Sequence, residues 1–204
     1  MLTYLLFGIT YAFAASIQPG PFQTFIFSQT LKIGWKRTLP AAFAPVISDI
    51  PIIILILLIL TSIPSGFLSF LQIGGGILLL YLAYSSFKSF LNFEQPDSEK
   101  IKSDKTLFKA ILVNLLNPNP YLGWSLIMGP LFIKGYNDAP MNGITLIAGF
   151  YTTIVICQAG LIILFGLTRK LGSKVTRVTL GIASVGLAAF GVYLLIQGFT
   201  NISL

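Results

Sequence analysis

Gln18-Pro19-Gly20-Pro21 and Asn117-Pro118-Asn119-Pro120 decide how this chain folds. Each interrupts a long apolar stretch, one near the start and one in the second half. Proline removes a backbone donor and clashes with the preceding turn, so an α-helix does not run through such a segment undisturbed. In hydrocarbon, freed backbone groups are tolerated only where they face protein or a water-filled cavity. Matched interruptions in the two halves of a membrane protein are a sequence pointer to a transporter's binding site.

The membrane setting follows from composition. The chain has 204 residues, 55% hydrophobic and 9% charged, with a mean hydropathy of +0.86. Soluble domains carry about 25% charged residues, which leaves little room for one here. Uncharged runs cover 1–31, 110–133, 139–168 and 178–204, and 38–87 holds a single charge, Asp49. About 20 residues cross a bilayer, so 38–87 is two crossings divided at Thr61-Ser62-Ile63-Pro64-Ser65-Gly66. Six helices are expected, near 3–31, 38–60, 67–90, 107–133, 140–167 and 175–199. Ala12-Phe13-Ala14 imitates a signal-peptide cleavage site, but no basic segment precedes it and the apolar stretch continues beyond it, so it reads as helix.

Charge sets the orientation. Lys32, Lys36 and Arg37 follow the first helix; Lys88, Lys100, Lys102, Lys105 and Lys109 surround the third connection; Arg169, Lys170, Lys174 and Arg177 occupy the fifth. These share one side, and of the 13 basic residues only Lys134 lies opposite. The basic side is expected to be cytoplasmic, with both termini outside. The net charge of +7 is thereby a topological signal with some attraction to anionic lipid, and calls for no nucleic-acid partner. One cysteine, Cys157, and no histidine exclude an intramolecular disulfide and a Cys/His metal cluster. No metal or other cofactor is expected.

The polar segment 93–106 reads as a cytoplasmic linker between a three-helix repeat over 1–92 and another over 107–204. An odd number of crossings inverts the second repeat, and each opens with a broken helix. The expected fold is therefore an all-α integral membrane protein, six transmembrane helices arranged as two inverted three-helix repeats, with helices 1 and 4 broken. Glycines and alanines on helices 3 and 6 suit close backbone packing in lipid.

The site candidates cluster at the breaks. Pro19 or Pro21 suits the first turn of a restarted helix, Gln18 can satisfy neighbouring backbone, and Gly20 permits close ligand approach. Asn117 and Asn119 are good N-cap types, and Pro118 and Pro120 restart the second half-helix. Two N-terminal ends near the midplane favour an anion such as a carboxylate. Asp49 is the one acid within any expected span, about 16 Å deep. A charge at such depth costs about 2.5–3.5 kcal/mol on insertion scales, so it serves a purpose or has a partner: a substrate ammonium, or a proton. Pro45 and Pro51 flank Asp49 and can open helix 2 locally. A neutral, hydrogen-bonded structural Asp49 and simply packed proline kinks are the competing readings. Gln158 is a weaker candidate that can line the site or bridge helices; Asn114 and Trp124, one turn either side of the second break, can line a cavity or pack.

Ser16-Ile17-Gln18-Pro19-Gly20-Pro21, the mid-membrane Asp49 and Asn114-Leu115-Leu116-Asn117-Pro118 together resemble the LysE-type translocators over essentially the whole chain. The resemblance implies a bacterial amino-acid exporter. The family commonly places Thr before and Asn after Pro-Gly-Pro, and a basic residue after the second Asn-Pro; here Gln18, Phe22 and Asn119 stand there. These departures bear on the cargo, and a lone acid gives no specific support to a dication such as lysine.

The reading is thus a proton-coupled secondary transporter exporting amino acids or related small zwitterions, with Asp49 also in the proton-coupling role. Its partners are a small-molecule substrate, the lipid bilayer and protons, with homo-oligomerisation open. Alternating access would come from one three-helix half moving against the other. A small-solute carrier for sugar or metal ion and a non-transporting assembly protein are the alternatives. Enzyme chemistry lacks its parts: no Asp pair, Ser–His pair or metal-binding carboxylate cluster can be assembled within the spans.

Overall fold

A computed structural model describes residues 1–18, 20–59, 65–91, 103–168 and 173–200. Pro19 and residues 92–102, which hold most of the expected 93–106 linker, lie outside the described residues. The described residues are helical throughout, without strands.

Each break falls where proline forbids continuation. α1 (Leu2–Ile17) ends at Gln18, whose backbone is extended at ψ 122°. α2 (Pro21–Ile33) restarts with Pro21 in its first turn and Gly20 extended before it. Gly34 then turns the chain at φ 86°, a left-handed value open to glycine at little cost. α3 (Trp35–Thr38) follows at once, so Lys32, Lys36 and Arg37 sit on helices and not in a loop. The chain tightens to 3₁₀ over Leu39–Phe43, around Pro40, before α4 (Ala44–Ile59). α4 runs through Pro51 without opening beside Asp49, whereas Pro45 stands in its first turn, directly after the irregular 3₁₀ stretch.

α5 (Ser65–Leu91) precedes the second broken element. α6 (Ser103–Leu115) begins within the expected linker and stops before Asn117. α7 (Pro118–Gly123), a π-helical segment over Trp124–Met128 and α8 (Gly129–Asp138) form one continuous helical rod. α9 (Pro140–Thr168) and α10 (Ser173–Thr200) complete the chain. Four stretches, Trp35–Leu58, Ser69–Leu91, Pro140–Leu167 and Lys174–Thr200, are long and apolar enough to cross a membrane. The remaining two of the six expected stretches are the interrupted pair.

The two most extensive contacts join helices from different halves, α5 with α10 and α1 with α9; α10 also packs on α2 and α4 on α6, while α8 packs on α9 within its own half. Small residues make the first two contacts possible. A Cβ on Gly76 would lie 2.8 Å from the Gly191 carbonyl, and one on Gly149 would lie 2.8 Å from that of Leu5. Backbones this close gain dispersion contacts that lipid cannot match. The expected role of glycine in helices 3 and 6 is thus visible as contact.

One end of the bundle gathers basic groups. Lys32 donates to Ser85 Oγ at 3.2 Å, and Arg177 donates to the Phe90 carbonyl at 3.1 Å while lying over its ring. Burial and the neighbouring Lys109 press against the charge of Lys32. At the opposite end, Tyr4 donates to Asp138 at 3.2 Å.

Candidate functional site

The two breaks and α4 frame one cavity, with about 720 Å³ of unfilled space including its open mouth. Gln18 and Gly20 line it from the first break; Asn117, Asn119 and Pro120 line it from the second. Asp49 faces it from α4 and Gln158 from α9. Asn114 and Trp124 also reach it. Of the sequence candidates, Pro21 and Pro118 start their helices behind the wall, buried, and Pro19 lies outside the described residues. Gln18 is exposed at the rim.

Asp49 is 3% exposed. Asn114 Nδ2 donates to its Oδ1 at 3.0 Å and to Ser48 Oγ at 2.7 Å. The Tyr151 hydroxyl donates to its Oδ2 at 3.2 Å. Ser48 in turn donates to the Ala44 carbonyl. Asp49, on α4, is thus held by donors from two other helices, α6 and α9, yet no basic side chain pairs with it among the described residues. Each carboxylate oxygen accepts one of these bonds and retains a further lone pair. The Trp124 indole N–H is directed at the Asp49–Tyr151 pair at a separation too long or too bent for a well-formed hydrogen bond. Its ring stacks on Tyr151, centroids 6.4 Å apart, and meets Phe150 edge-on at 6.2 Å. The site acid therefore stands against an aromatic wall that restricts water and strengthens local electrostatics.

The breaks themselves are finished differently. At the first, Gln23 Nε2 reaches back to the Ser16 carbonyl at 3.2 Å, meeting an acceptor that the broken ladder leaves over. No side chain caps the start of α2, so its first N–H groups and positive dipole end remain open to the cavity that Gly20 lines. At the second, Asn117 Oδ1 accepts from the Asn119 N–H at 3.2 Å, and the Tyr121 hydroxyl donates to the Leu115 carbonyl at 3.0 Å. The two helix ends therefore differ: the second is capped by Asn117, the N-cap type read there from sequence, and the first has no side-chain cap.

Tyr11, Gln23 and Tyr151 were not singled out from sequence. Tyr11 is on α1, and its hydroxyl packs so tightly on Gly123 that a Cβ there would approach within 2.7 Å. Tyr151 meets Asp49 across 102 positions. A helical Tyr resembles any packing aromatic in one dimension. Gln23 alone had a local signal, as an amide within one turn after a proline break. No group of three or more His, Cys, Asp or Glu suited to a metal ion occurs among the described residues.

An all-helical apolar chain with two broken helices around a buried acid and an open cavity defines a membrane transport protein. Residues 13–198 match the family of LysE type translocators, and the chain belongs to that family. It is an integral membrane protein of a family of transporters rather than enzymes. No curated protein and no solved structure matches it.

Proposed function

We propose that this protein exports amino acids or closely related small zwitterions by proton-coupled alternating access, through six spans related as two inverted three-helix repeats. The observation that carries the reading is the cavity's two poles. Asp49, buried and without a cationic partner, offers a counter-ion for an ammonium group. The uncapped start of α2, where Gly20 lets a ligand approach the backbone, offers donors and a positive dipole end for a carboxylate. The Trp124 N–H beside Asp49 adds a further donor to that pole. A molecule carrying both charges on neighbouring atoms matches such a site; a sugar would leave the acid without its counter-charge, and a metal ion would find one carboxylate. Proton binding at Asp49 would substitute for the ammonium once cargo leaves, which couples the two fluxes. Gathered basic groups at one end support a cytoplasmic setting for that end under the positive-inside rule. Cross-half packing makes the α1–α9 and α5–α10 pairs, rather than the two sequence halves, the natural units of movement.

Purified protein in liposomes tests this. Radiolabelled amino acids should accumulate in response to an imposed pH gradient and leave on addition of a protonophore. Asp49→Asn keeps the Asn114 and Tyr151 contacts geometrically feasible while removing the charge. It should reduce flux about 100-fold, a loss of about 2.7 kcal/mol of transition-state stabilisation, with unchanged elution in detergent. Wild-type flux from Asp49→Asn across the pH range would defeat the assignment.

A further inference from the structure

Two contacts between α1 and the α7–α8 rod stand apart from the binding poles. On α1, Tyr4, Tyr11 and Ala15 recur at helical spacing and so share one face. Tyr11 and Ala15 line the cavity, while Tyr4 lies two turns nearer the start of the helix, beyond it. The rod runs the opposite way: Gly123, Trp124 and Met128 line the cavity, and Gly135 and Asp138 lie beyond it. Each tyrosine ends in a glycine seat. A Cβ on Gly123 would lie 2.7 Å from the Tyr11 hydroxyl, and one on Gly135 would lie 2.7 Å from the Tyr4 ring. Tyr4 adds its hydrogen bond to Asp138.

The π-helical turn explains how both seats come to face α1. Twelve positions separate Gly123 from Gly135. On an uninterrupted α-helix that spacing leaves them about 120° apart. The π-helical stretch Trp124–Met128 takes up an extra residue, so the same twelve positions make about three turns. Gly129 suits that turn: its N–H reaches the Trp124 carbonyl five residues back, and a Cβ there would lie 2.5 Å from the same oxygen.

Tyr11 also belongs to an aromatic layer across this side of the cavity. Its ring stacks on Phe7 at 6.2 Å and on Phe150 at 5.9 Å, and Phe150 meets Trp124. The extensive backbone packing of α1 is with α9; two tyrosine side chains carry it to the rod. We propose that Tyr11 seated on Gly123 is the latch that shuts the cavity toward the end of the bundle away from the basic groups, with Tyr4 on Gly135 and Asp138 as its support further out. Closing one side at a time is what alternating access requires. The latch rests on the transport reading of the cavity, but its assay needs no cargo, so absence of amino-acid flux would count against that reading alone.

The test follows a thiol placed behind the latch. Ala15→Cys in a Cys157→Ser background puts it one turn deeper than Tyr11. A membrane-impermeant maleimide is added to sealed vesicles on the side where an N-terminal tag is accessible, and the labelling rate is measured. This reference protein should label slowly. Gly123→Ala displaces the Tyr11 hydroxyl and should raise the rate at least about fivefold, as overpacking shifts the closed state toward the open one. Adding Tyr11→Phe gives the new methyl the space of the lost hydroxyl, and should return the rate to within about twofold of the reference; without direct contact the two changes would simply add. Fast labelling of the reference, no rise from Gly123→Ala, or a double variant that stays fast overturns the latch. If Gly123→Ala does not elute as a folded species, Tyr11→Ala empties the seat and should give the same rise, and an unchanged rate there overturns the latch equally.

Discussion

The two proline breaks look alike in sequence and are built for different work. The second is closed on itself: Asn117 caps it, Tyr121 secures the end of α6, and Asn114 one turn earlier holds Asp49. It is also clamped from outside, because the Leu116 carbonyl sits 2.5 Å from where a Cβ on Gly75 of α5 would lie. The first break is left open at the start of α2, and a Cβ on Gly20 would meet only the Gln23 side chain at 3.5 Å. One break behaves as a mount for the acid, the other as a surface that a ligand can reach. A matched pair of motifs therefore need not mean a matched pair of binding ends.

Substitutions at corresponding places can sharpen or break this contrast. The largest effect on stability is expected from Gly75→Ala. Its Cβ would meet main chain, which cannot rotate away, so overpacking of about 1–3 kcal/mol is expected, read as a lower midpoint of thermal unfolding in detergent. Asn117→Ala removes a side-chain cap and should cost about 1 kcal/mol in the same assay, with flux lowered only as far as folded protein is lost. Gly20→Ala should be the mildest for the fold, within about 0.5 kcal/mol, since φ −171° suits any residue and the space is open. Its signature should be in transport, as a raised KM. A large loss of stability from Gly20→Ala, or none from Gly75→Ala, would reverse the roles of the two breaks.

Much of the helical layout was legible in one dimension. Apolar run length and a few turn residues marked the helical stretches, because in lipid the backbone has few alternatives to helix. The breaks were legible for the same reason, and Asp49 stood out because an acid in an apolar run is conspicuous. What the sequence did not disclose depends on contacts between distant positions. Asp49 meets Asn114 across 65 positions and Tyr151 across 102, and nothing in the local pattern near either partner points to the acid. The asymmetry of the breaks was legible only in part: Asn117 reads as an N-cap type, whereas the uncapped start of α2 shows only in the structure. Pro51 misled for a related reason. A helix can lose a proline's hydrogen bond and continue when neighbours hold it, and here the irregular turn lies upstream, over Leu39–Phe43 and next to Pro45.

The single-residue joint at Gly34 has a practical consequence. α2 ends at Ile33 and α3 starts at Trp35, whose side chain packs against Gly166 of α9. No slack exists there for a protease to grip or for an epitope to be spliced in without unwinding a turn. Reporters for sidedness belong elsewhere, while Lys36 and Arg37 ride on a short helix wedged between α2 and the 3₁₀ turn.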